Sequence, residues 1–537
     1  MAMHSTTDTT GAPADDTPVS VTTAPGDLRG RWRDGVARFA GVPFAAPPVG
    51  PRRFRPPAPV DPWQGERDAT GFGPVSPQNP SLMDALFGGE AEEWDEDCLY
   101  LNVWTTAPNS TTATGTTSPG GGAPGSERLP VMVWIHGGGF EMGSGSSPLY
   151  HGERFARAGV VYVSVNYRLG SLGFLELGHL DADYAGSGNV GLLDQVAALE
   201  WVRDNIAAFG GDPANVTAFG ESAGGMSVSL LLAMPAARGL FHKAIVQSGS
   251  TAAAKSPRQA ADDCGEFMEA TGVAGVADLV DAPVADLLAA HAKMSAGRMA
   301  NPEDVIRRFG NPLAFLAFRP VADGGAVPAE PLAAIAAGAS SGIPLVIGTN
   351  LEEWKLFAMM APPITGVDAL LERMKLVSGD PDGALAAYRT DHPDAPPADL
   401  EQALLTDMVF RSPACRLADA HGPHAPVWQY RFDWRSPALG GMIGAAHAVE
   451  IPFVFDLVED HRLHVLVGAE APVGLARGMH EAWVAFAATG EPNFAGLAWP
   501  QVGDAGRPVL CLDTETTVQS DPQGVTRRFW DGVDTGA

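Results

Sequence analysis

The sequence predicts an α/β fold with a mostly parallel central sheet and helices on both faces. Apolar runs typical of buried strands, such as LPVMVWI and VVYVSV, alternate with segments that carry apolar residues at helical spacing, such as GLLDQVAALEWVRDN. Strands that alternate with helices form largely parallel sheets that are buried on both faces. One strand-like run, VTAFG, leads through a serine flanked by small residues into another helical run, which indicates a sharp strand-to-helix turn.

The first residues of the chain are polar and lack the basic and apolar segments of an export signal. We therefore predict a disordered tail over residues 1–20 and, without an export signal, a cytoplasmic protein. The remaining residues, 21–537, are predicted to form a single domain. Within it, a low-complexity stretch at about 107–129 predicts a mobile surface loop between two strands.

Two longer stretches interrupt the alternation of strands and helices. Residues at about 255–340 and 360–425 are helical in pattern and broken by prolines, and a strand-like run, IPLVIGTN, separates them. A strand-like VWQYRFDW and an amphipathic GLARGMHEAWVAFAATG follow. Because ligands of open α/β sheets bind at the carboxyl ends of the strands, we expect these helical insertions to cover that edge.

Composition argues against several kinds of partner and cofactor. The 537-residue chain has a net charge of -28, which disfavours binding to nucleic acid or to an anionic membrane surface. No apolar run approaches the roughly 20 residues that span a bilayer. The cysteines are far apart and lack metal-binding or redox spacing, and the serine chemistry inferred below implies no metal and no organic cofactor. They are Cys98, Cys264, Cys415 and Cys511.

The pattern G-x-S-x-G occurs twice, at Ser222 and at Ser340. A serine becomes a nucleophile when a sharp strand-to-helix turn exposes its hydroxyl near a base, and small residues two positions before and after it allow that bend. Ser340 follows an Ala-rich helix and precedes a strand, which is the wrong order, so we interpret it as part of a helix C-terminal loop. Ser222 is therefore the candidate nucleophile for acyl transfer.

Acyl transfer also needs amides that stabilise an oxyanion. The segment His136–Gly137–Gly138–Gly139–Phe140 follows the apolar run VMVWI directly, and its glycines would let backbone N–H groups approach a substrate oxygen. A merely flexible glycine turn is the alternative interpretation. The amide of Ala223, at the start of the helix after Ser222, is expected to be a further donor.

The acid and the base should follow Ser222 in the chain. IPLVIGTN is followed by Glu352 and Glu353, and the pattern alone does not choose between these carboxylates. Of the later histidines, His447 is favoured, because a Gly/Ala-rich loop carries it and an apolar run anchors its downstream side. The other candidates are His392, His421, His424, His461, His464 and His480.

Taken together, these motifs resemble the type-B carboxylesterase family, which includes bacterial para-nitrobenzyl esterases and animal cholinesterases. The resemblance runs from about residue 20 to the C-terminus. It is carried, in the order of the family, by FAGVPFAAPPVGPRRFRPP, EDCLYLNVW, HGGGF, NYRLGSLGFL, GNVGLLDQ, FGGDPANVTAFGESAGG, GTNLEEW and AAHAVEIPFVF. It implies an α/β-hydrolase fold with large helical insertions over the active site.

The resemblance also implies roles for individual residues. Ser222 would be the nucleophile, Glu353 the triad acid and His447 the base. The family's oxyanion hole corresponds to the amides of Gly138, Gly139 and Ala223. A supporting polar network near the histidine would include Glu221, Ser248 and Glu450.

Two positions depart from the family pattern. Ser76 stands where the family has the cysteine that pairs with Cys98, so this disulfide is absent, as in a reducing compartment. The aromatic residue that binds choline in cholinesterases is replaced by Gly88, and Trp94 is near but not at that spacing. Cholinesterase activity is therefore not expected.

The expected function is the hydrolysis of small-molecule carboxylic esters through an acyl-serine intermediate. A carbamate or aryl-amide hydrolase that uses the same triad is an alternative. A catalytically silent binding module is a second alternative, although such modules usually lose the serine or the histidine. We expect no nucleic-acid or membrane partner, and a monomer or weak homodimer.

Overall fold

The structure is a computed structural model that describes residues 14–80, 93–109, 128–309, 312–359, 363–494, 496–503 and 506–533. In this part of the chain, 13 strands form one sheet. The strands are β1 (Pro18–Thr22), β2 (Asp27–Arg33), β3 (Val36–Pro43), β4 (Glu66–Asp68), β5 (Tyr100–Thr105), β6 (Leu129–Ile135), β7 (Val161–Val165), β8 (Gly211–Glu221), β9 (Lys243–Gln247), β10 (Leu345–Asn350), β11 (Val427–Phe432), β12 (Pro508–Leu512) and β13 (Thr517–Ser520).

The strand order is β1-β2-β3-β5-β7-β6-β8-β9-β10-β11-β12-β13, and β4 pairs with β2. The central block from β7 to β12 is parallel throughout. The pairs outside this block are antiparallel, apart from the short β4, which runs parallel to β2. The predicted α/β fold with a mostly parallel sheet is confirmed.

Helices connect most of these strands. The described α-helices are Glu153–Arg157, Gly170–Phe174, Val190–Asn205, Ala223–Ala233, Pro257–Thr271, Val276–Asp281, Val284–Ala300, Pro302–Phe309, Pro331–Ala336, Trp354–Ala358, Val367–Ser378, Pro381–Asp391, Pro397–Thr406, Ser412–His421, Ile451–Val454, His464–Val467, Val473–Thr489 and Gly524–Asp531. Residues Asp407–Arg411 form a π-helix. The 3-10 helices are Gly50–Arg52, Pro148–Tyr150, Ala182–Tyr184, Ser187–Asn189, Ile206–Phe209, Pro235–Ala237, Thr251–Ala253, Pro312–Phe315, Ala438–Gly441 and His461–Leu463.

The sheet has a hydrophobic core on each face. In β6, Val131, Val133 and Ile135 belong to one buried cluster, whereas Met132 and Trp134 belong to another. Successive side chains of a strand point to opposite faces, so the two clusters lie on the two sides of the sheet. An apolar strand such as LPVMVWI is therefore buried on both faces, as expected for a parallel sheet.

The register of the central strands aligns their carboxyl ends. Ile135 of β6 pairs with Gly220 of β8, and Glu221 pairs with Gln247 of β9. Gln247 in turn pairs with Gly348 of β10. The segments that leave β6, β8, β9 and β10 therefore start side by side at one edge of the sheet.

Two groups of helices are inserted between the last parallel strands. The first helical insertion, residues 257–336, lies between β9 and β10, and the second helical insertion, residues 367–421, lies between β10 and β11. Both fall within the stretches predicted as helical. A third hydrophobic cluster is formed mostly by the second insertion and also includes Ile306 of the first insertion and Trp530 of the C-terminal helix.

The predicted N-terminal boundary is wrong by a few residues. Strand β1 begins at Pro18, inside the tail predicted over 1–20, because Val19 and Val21 are buried and β1 pairs with β2. Residues 1–13 and most of the predicted loop, residues 110–127, lie outside the described residues. The tail, the loop and the single-domain assignment stay predictions.

No helix within the described ranges is long and apolar enough to cross a membrane.

Candidate active site

Ser222 lies at a sharp turn between β8 and the helix Ala223–Ala233. Its backbone angles, φ 56° and ψ -123°, are rare for a residue with a side chain and carry strain. The turn depends on its glycines: a Cβ atom at Gly220 would lie 2.5 Å from the carbonyl oxygen of Ile135, and one at Gly224 would lie 1.9 Å from the same oxygen. The strand–turn–helix order predicted around Ser222 is thus present.

The amides around Ser222 differ in what they bind. The Ser222 N–H donates to the carbonyl of Gln247 at 3.0 Å, so it is occupied within the sheet. Ala223 begins the helix, and the first amides of a helix have no acceptor within that helix. The Ala223 N–H therefore has no acceptor within its own helix, whereas that of Ser222 has one in the sheet.

The glycine loop, residues 136–143, follows β6 and lies against this turn. A Cβ atom at Gly137 would lie 3.2 Å from the Cβ of Ser222. Gly138, Gly139 and Phe140 all have positive φ, and the amides of residues 141 and 142 both donate to the Gly138 carbonyl. This tight, strained turn follows directly after Gly137, which packs against Ser222, and its Gly138 and Gly139 backbone carries no side chains.

His447 and Glu353 form a buried pair beside this edge of the sheet. The imidazole Nδ1 lies 2.7 Å from Glu353 Oε2, and the backbone N–H of His447 donates to the Glu353 carbonyl at 3.3 Å. The other carboxylate oxygen of Glu353 accepts from the Ser248 hydroxyl at 2.6 Å and from the Asn350 amide at 2.7 Å. These bonds hold the carboxylate and orient the imidazole.

Two further carboxylates belong to the buried polar group around His447. Glu221 Oε1 lies 3.2 Å from His447 Nε2. Glu450 accepts from the Asn350 side-chain amide at 2.6 Å and from the Gln247 side-chain amide at 3.2 Å. Sequence reasoning named Glu221, Ser248 and Glu450 but missed Gln247 and Asn350. Each of these two residues is an amide at the carboxyl end of a strand, and that position is the feature by which the sequence could have indicated them.

This group of carboxylates changes the protonation of the site. Burial alone would lower the pKa of His447, but the neighbouring carboxylates, Glu221 and Glu353 foremost, outweigh it and raise the pKa to about 9. Burial raises the pKa of Glu221 well above its usual range, helped by the charges of Glu450 and Glu353. Burial also raises the pKa of Glu450 to about 7. The groups therefore titrate together rather than singly.

The serine and the histidine are not yet hydrogen-bonded. Within the described part of the chain, Ser222 Oγ makes no hydrogen bond to a side chain, and His447 Nε2 lies beside Glu221 instead. Catalytic hydrogen bonds are often long in ligand-free enzymes and tighten when substrate binds. The imidazole would therefore have to approach the serine before a proton could pass between the two side chains.

Two phenylalanines pack on the imidazole of His447. The ring centroids of Phe410 and Phe357 lie 4.8 Å and 5.2 Å from it. Phe410 belongs to the π-helix Asp407–Arg411, a structure often found at functional sites. Sequence reasoning missed Phe410, because no local pattern in the sequence signals a π-helix, and it also missed Phe357, which lies in the helix Trp354–Ala358.

Glu352 and Glu353 have different environments in the structure. Glu352 is partly exposed, its Oε2 accepts from the Ala445 amide at 2.9 Å, and it pairs with Lys355 and Arg435. Glu353 is fully buried and faces His447. Pattern alone left these two carboxylates open.

Ser340 lies in a turn after the helix Pro331–Ala336, as predicted. Its hydroxyl is 2.9 Å from His421 Nδ1, and His421 Nε2 lies 2.7 Å from the carbonyl of Ile343. The described residues place no carboxylate at this histidine. The Ser340–His421 pair thus lacks an orienting acid, and its contacts supply hydrogen-bond partners for buried polar groups.

The remaining histidines have other partners. His480 Nδ1 contacts the carbonyl of Val454, His424 Nε2 contacts the carbonyl of Ala336, and the side chain of His461 is exposed. His392 Nε2 lies 3.4 Å from the side-chain nitrogen of Gln523, and His464 begins the helix His464–Val467. Within the described ranges, no group of three or more His, Cys, Asp or Glu side chains could hold a metal ion.

The cysteines match the expectation of isolated thiols. Cys98, Cys264, Cys415 and Cys511 are all buried and unpaired. Ser76, which replaces the expected partner of Cys98, is itself buried, and its hydroxyl accepts from the Leu169 amide at 3.1 Å. Gly88 lies outside the described residues, and Trp94 is partly exposed.

A strained serine at the turn between a parallel strand and a helix is characteristic of the α/β hydrolases. The fold of this chain, with its histidine and carboxylate supplied by later loops at the same edge, places it in that class.

Within that class, the chain belongs to the carboxylesterase family, whose sequence profile matches residues 17–530. It is 41% identical over 514 residues to the para-nitrobenzyl esterase of Bacillus subtilis (strain 168), covering 95% of this chain and 97% of that protein. It is 37% identical over 506 residues to the phenmedipham hydrolase of Pseudarthrobacter oxydans, covering 90% and 92%. A solved carboxylesterase structure from Geobacillus stearothermophilus matches with a TM-score of 0.81 and 38% identity, covering 95% of this chain and all of that one.

The family predicted from the motifs is therefore confirmed. The protein is a carboxylic-ester hydrolase that acts on small-molecule esters.

Proposed function

We propose that Ser222 is the nucleophile, His447 the general base and Glu353 the orienting acid of this esterase. The observation that carries the proposal is the strained Ser222 turn beside the buried His447–Glu353 pair, with Nδ1 and Oε2 2.7 Å apart. Because Glu353 contacts Nδ1, Nε2 is the ring nitrogen that would take the serine proton. Glu353 would stabilise the imidazolium that forms during the reaction.

In the first half of the reaction, His447 Nε2 takes the proton of the Ser222 hydroxyl while Oγ attacks the ester carbonyl carbon. The carbonyl oxygen becomes an oxyanion that accepts from the amides of Gly138, Gly139 and Ala223. When the intermediate collapses, the bond to the alkoxy group breaks, and the alcohol leaves with the proton from His447.

In the second half, water attacks the acyl-serine. His447 removes a proton from the water, the same amides hold the second oxyanion, and the bond to Ser222 breaks. The serine recovers its proton from His447, and the carboxylic acid is released. Loss of one oxyanion donor typically costs about 10²- to 10³-fold in kcat.

Carbamates are a second candidate class of substrate. The relative named phenmedipham hydrolase is a carbamate hydrolase at 37% identity. A carbamate presents a carbonyl carbon and a leaving alcohol in the same arrangement as an ester, so the same residues could act on it. Comparing turnover of a p-nitrophenyl ester with that of a phenylcarbamate would test this extension.

We also propose a cytoplasmic location and a monomer or weak homodimer. The four buried, unpaired cysteines suit a reducing compartment. The net charge of -28 opposes close association of copies at low ionic strength. Light scattering during size-exclusion chromatography would measure the mass in solution.

The proposed nucleophile is tested by paired alanine substitutions. Ser222→Ala should abolish turnover of p-nitrophenyl acetate, leaving at most about 10⁻⁴ of wild-type kcat, whereas Ser340→Ala in the other G-x-S-x-G segment should leave kcat within about twofold. A radiolabelled organophosphate should label Ser222 alone. Retained turnover in Ser222→Ala, or labelling at Ser340, would overturn the assignment.

A further inference from the structure

A buried pair of side chains connects the glycine loop to the first helical insertion. Glu141 follows Phe140 in the loop, and His291 lies in the helix Val284–Ala300. His291 Nε2 is 3.0 Å from Glu141 Oε2, and the two side chains are 5% and 9% exposed. The proposed reaction uses neither residue.

Glu141 depends strongly on this contact. Its other carboxylate oxygen, Oε1, is buried and has no hydrogen-bond partner among the described residues. A buried carboxylate is costly unless it is paired, and removing its partner favours a shift toward water. Without His291, Glu141 and the loop that carries it would therefore tend to move.

The loop next to Glu141 needs such support. Gly138, Gly139 and Phe140 have φ values of 104°, 65° and 63°. Phe140 is not a glycine, and positive φ in such a residue persists only when the surroundings hold it. Part of the support is local, since the Gly170 amide donates to the Phe140 carbonyl at 2.7 Å and the Phe140 ring packs edge-on against Phe174.

His291 is itself held in place. Its ring meets Phe318 edge to face, with centroids 4.6 Å apart. A Cβ atom at Gly170 would lie 3.0 Å from His291 Nδ1, so the glycine leaves room for the imidazole. Leu316, two residues before Phe318, packs against Gly139: a Cβ atom built at Gly139 would lie 3.0 Å from the Leu316 side chain. The first insertion therefore contacts the glycine loop at Glu141 and at Gly139.

We propose that Glu141 and His291 are positioning residues, which hold the amides of Gly138 and Gly139 at the oxyanion. This inference rests on the proposed function, which assigns those amides to the oxyanion hole. Oxyanion donors act on the charge that develops in the transition state and barely on the neutral ester. Loss of the pair should therefore lower kcat and leave KM nearly unchanged.

Four variants test the pair with p-nitrophenyl acetate and p-nitrophenyl butyrate. We expect Glu141→Ala and His291→Ala each to lower kcat about 10- to 100-fold for both esters, with KM within about threefold. The double variant should be no worse than the single ones, because both remove the same contact. Glu141→Gln should keep most of kcat, since its amide can still hydrogen-bond to the imidazole.

A transition-state analogue provides a readout that a general loss of stability would not produce. An aryl trifluoromethyl ketone forms a hemiketal with the serine and places an oxyanion in the hole, whereas the corresponding methyl ketone stays a neutral ligand. The affinity of Glu141→Ala for the fluorinated ketone should fall in proportion to kcat/KM, with little change for the methyl ketone.

Thermal unfolding confirms that each variant is folded. If Glu141→Ala does not fold, His291→Leu, which fills the space without a donor, makes the same test.

The matched control is Glu401→Ala, which breaks a half-buried pair with Arg373 (3.4 Å) in the second insertion, away from the glycine loop. Its kcat should equal that of wild type. The inference fails if folded Glu141→Ala keeps wild-type kcat, or if the single effects add in the double variant. It also fails if only butyrate turnover falls, since the pair would then shape the acyl pocket alone. Activity in Ser222→Ala would instead overturn the proposed function.

Discussion

At the scale of single residues, the site is a cluster of acidic groups around one imidazole. His447 has Glu353 on Nδ1 and Glu221 on Nε2, at 2.7 Å and 3.2 Å. Glu353 contacts Nδ1, whereas Glu221 faces Nε2, the nitrogen that takes the serine proton in the proposed reaction. The neighbouring carboxylates favour the protonated imidazole, although the reaction starts from the neutral one. In the proposed reaction, the site would therefore stabilise the imidazolium of the transition state at the expense of activity at low pH.

The pH dependence of kcat/KM tests this balance. The proposed base must be neutral, and the pKa of His447 is raised to about 9, so kcat/KM should increase from about pH 6 to about pH 9. In Glu221→Gln the carboxylate beside Nε2 is gone, and the midpoint should move down by about one pH unit. Steady-state kinetics over this range, with the released acid measured by chromatography, would show the shift. Glu352→Gln, at the partly exposed neighbour, should leave the midpoint where it is, and an upward shift in Glu221→Gln would contradict the argument.

At the scale of elements, the turn after β8 is possible because Gly220 and Gly224, two positions before and after Ser222, lack side chains. The first turn of the helix Ala223–Ala233 passes so close to β6 that Gly224 faces the carbonyl of Ile135 directly. This close approach holds the serine and its neighbouring amide against the glycine loop. The geometry at Ser222 is therefore a property of three packed segments, two strands and a helix, rather than of the serine alone.

Gly224→Ala tests the packing of this turn. The new Cβ atom would lie 1.9 Å from the Ile135 carbonyl oxygen, so backbone must move, and we expect kcat/KM to fall more than about 100-fold. Gly265→Ala is the matched control, because that glycine lies in the helix Pro257–Thr271 with no atom within 4 Å of the new methyl group. It should keep full activity and gain up to about 1 kcal/mol of stability. Wild-type kinetics in Gly224→Ala would show that the close approach is unimportant.

At the scale of the whole molecule, the C-terminal helix is tied to the active-site edge through buried polar groups. The Trp530 indole donates to the Tyr388 hydroxyl at 2.7 Å, and that hydroxyl donates to Asp407 at 2.7 Å. Asp407 pairs with Arg411, which also donates to the Leu351 carbonyl at 2.9 Å. The chain of contacts runs from the C-terminal helix through the π-helix to the loop after β10. The last residues of the fold thus help to hold its proposed acid.

Tyr388→Phe tests this connection. The substitution leaves the Trp530 indole and one oxygen of Asp407 buried without a partner, which should cost about 1–3 kcal/mol and lower the midpoint of thermal unfolding. Tyr100→Phe removes a hydroxyl that donates to Asp97, which solvent can reach, and should leave the midpoint nearly unchanged. Calorimetry of the two variants makes the comparison. Equal midpoints would mean that the buried hydroxyl contributes nothing net.

Particular residues show how far the sequence could be interpreted. The turn at Ser222 was predictable, because its small neighbours and the order of strand and helix are local features. His447 was only one of several candidates, and Glu352 and Glu353 could not be told apart by pattern. Phe410 could not be predicted, since a π-helix and its contact with the imidazole arise from packing between distant segments.

The sequence by itself determined the parallel α/β sheet, the turn at Ser222, the glycine loop and, through its motifs, the carboxylesterase family. These features depend on periodicity and on residues close together in the chain. The family motif pointed to Glu353 rather than Glu352, but only the tertiary structure showed its contact with the imidazole, the partner of Ser340 and the contact between Glu141 and His291. His447 and Glu353 are 94 positions apart, and contacts of this kind exist only once the strands have aligned their carboxyl ends. The physical reason is that a local pattern specifies an element, whereas a site forms from side chains that the packing of elements brings together.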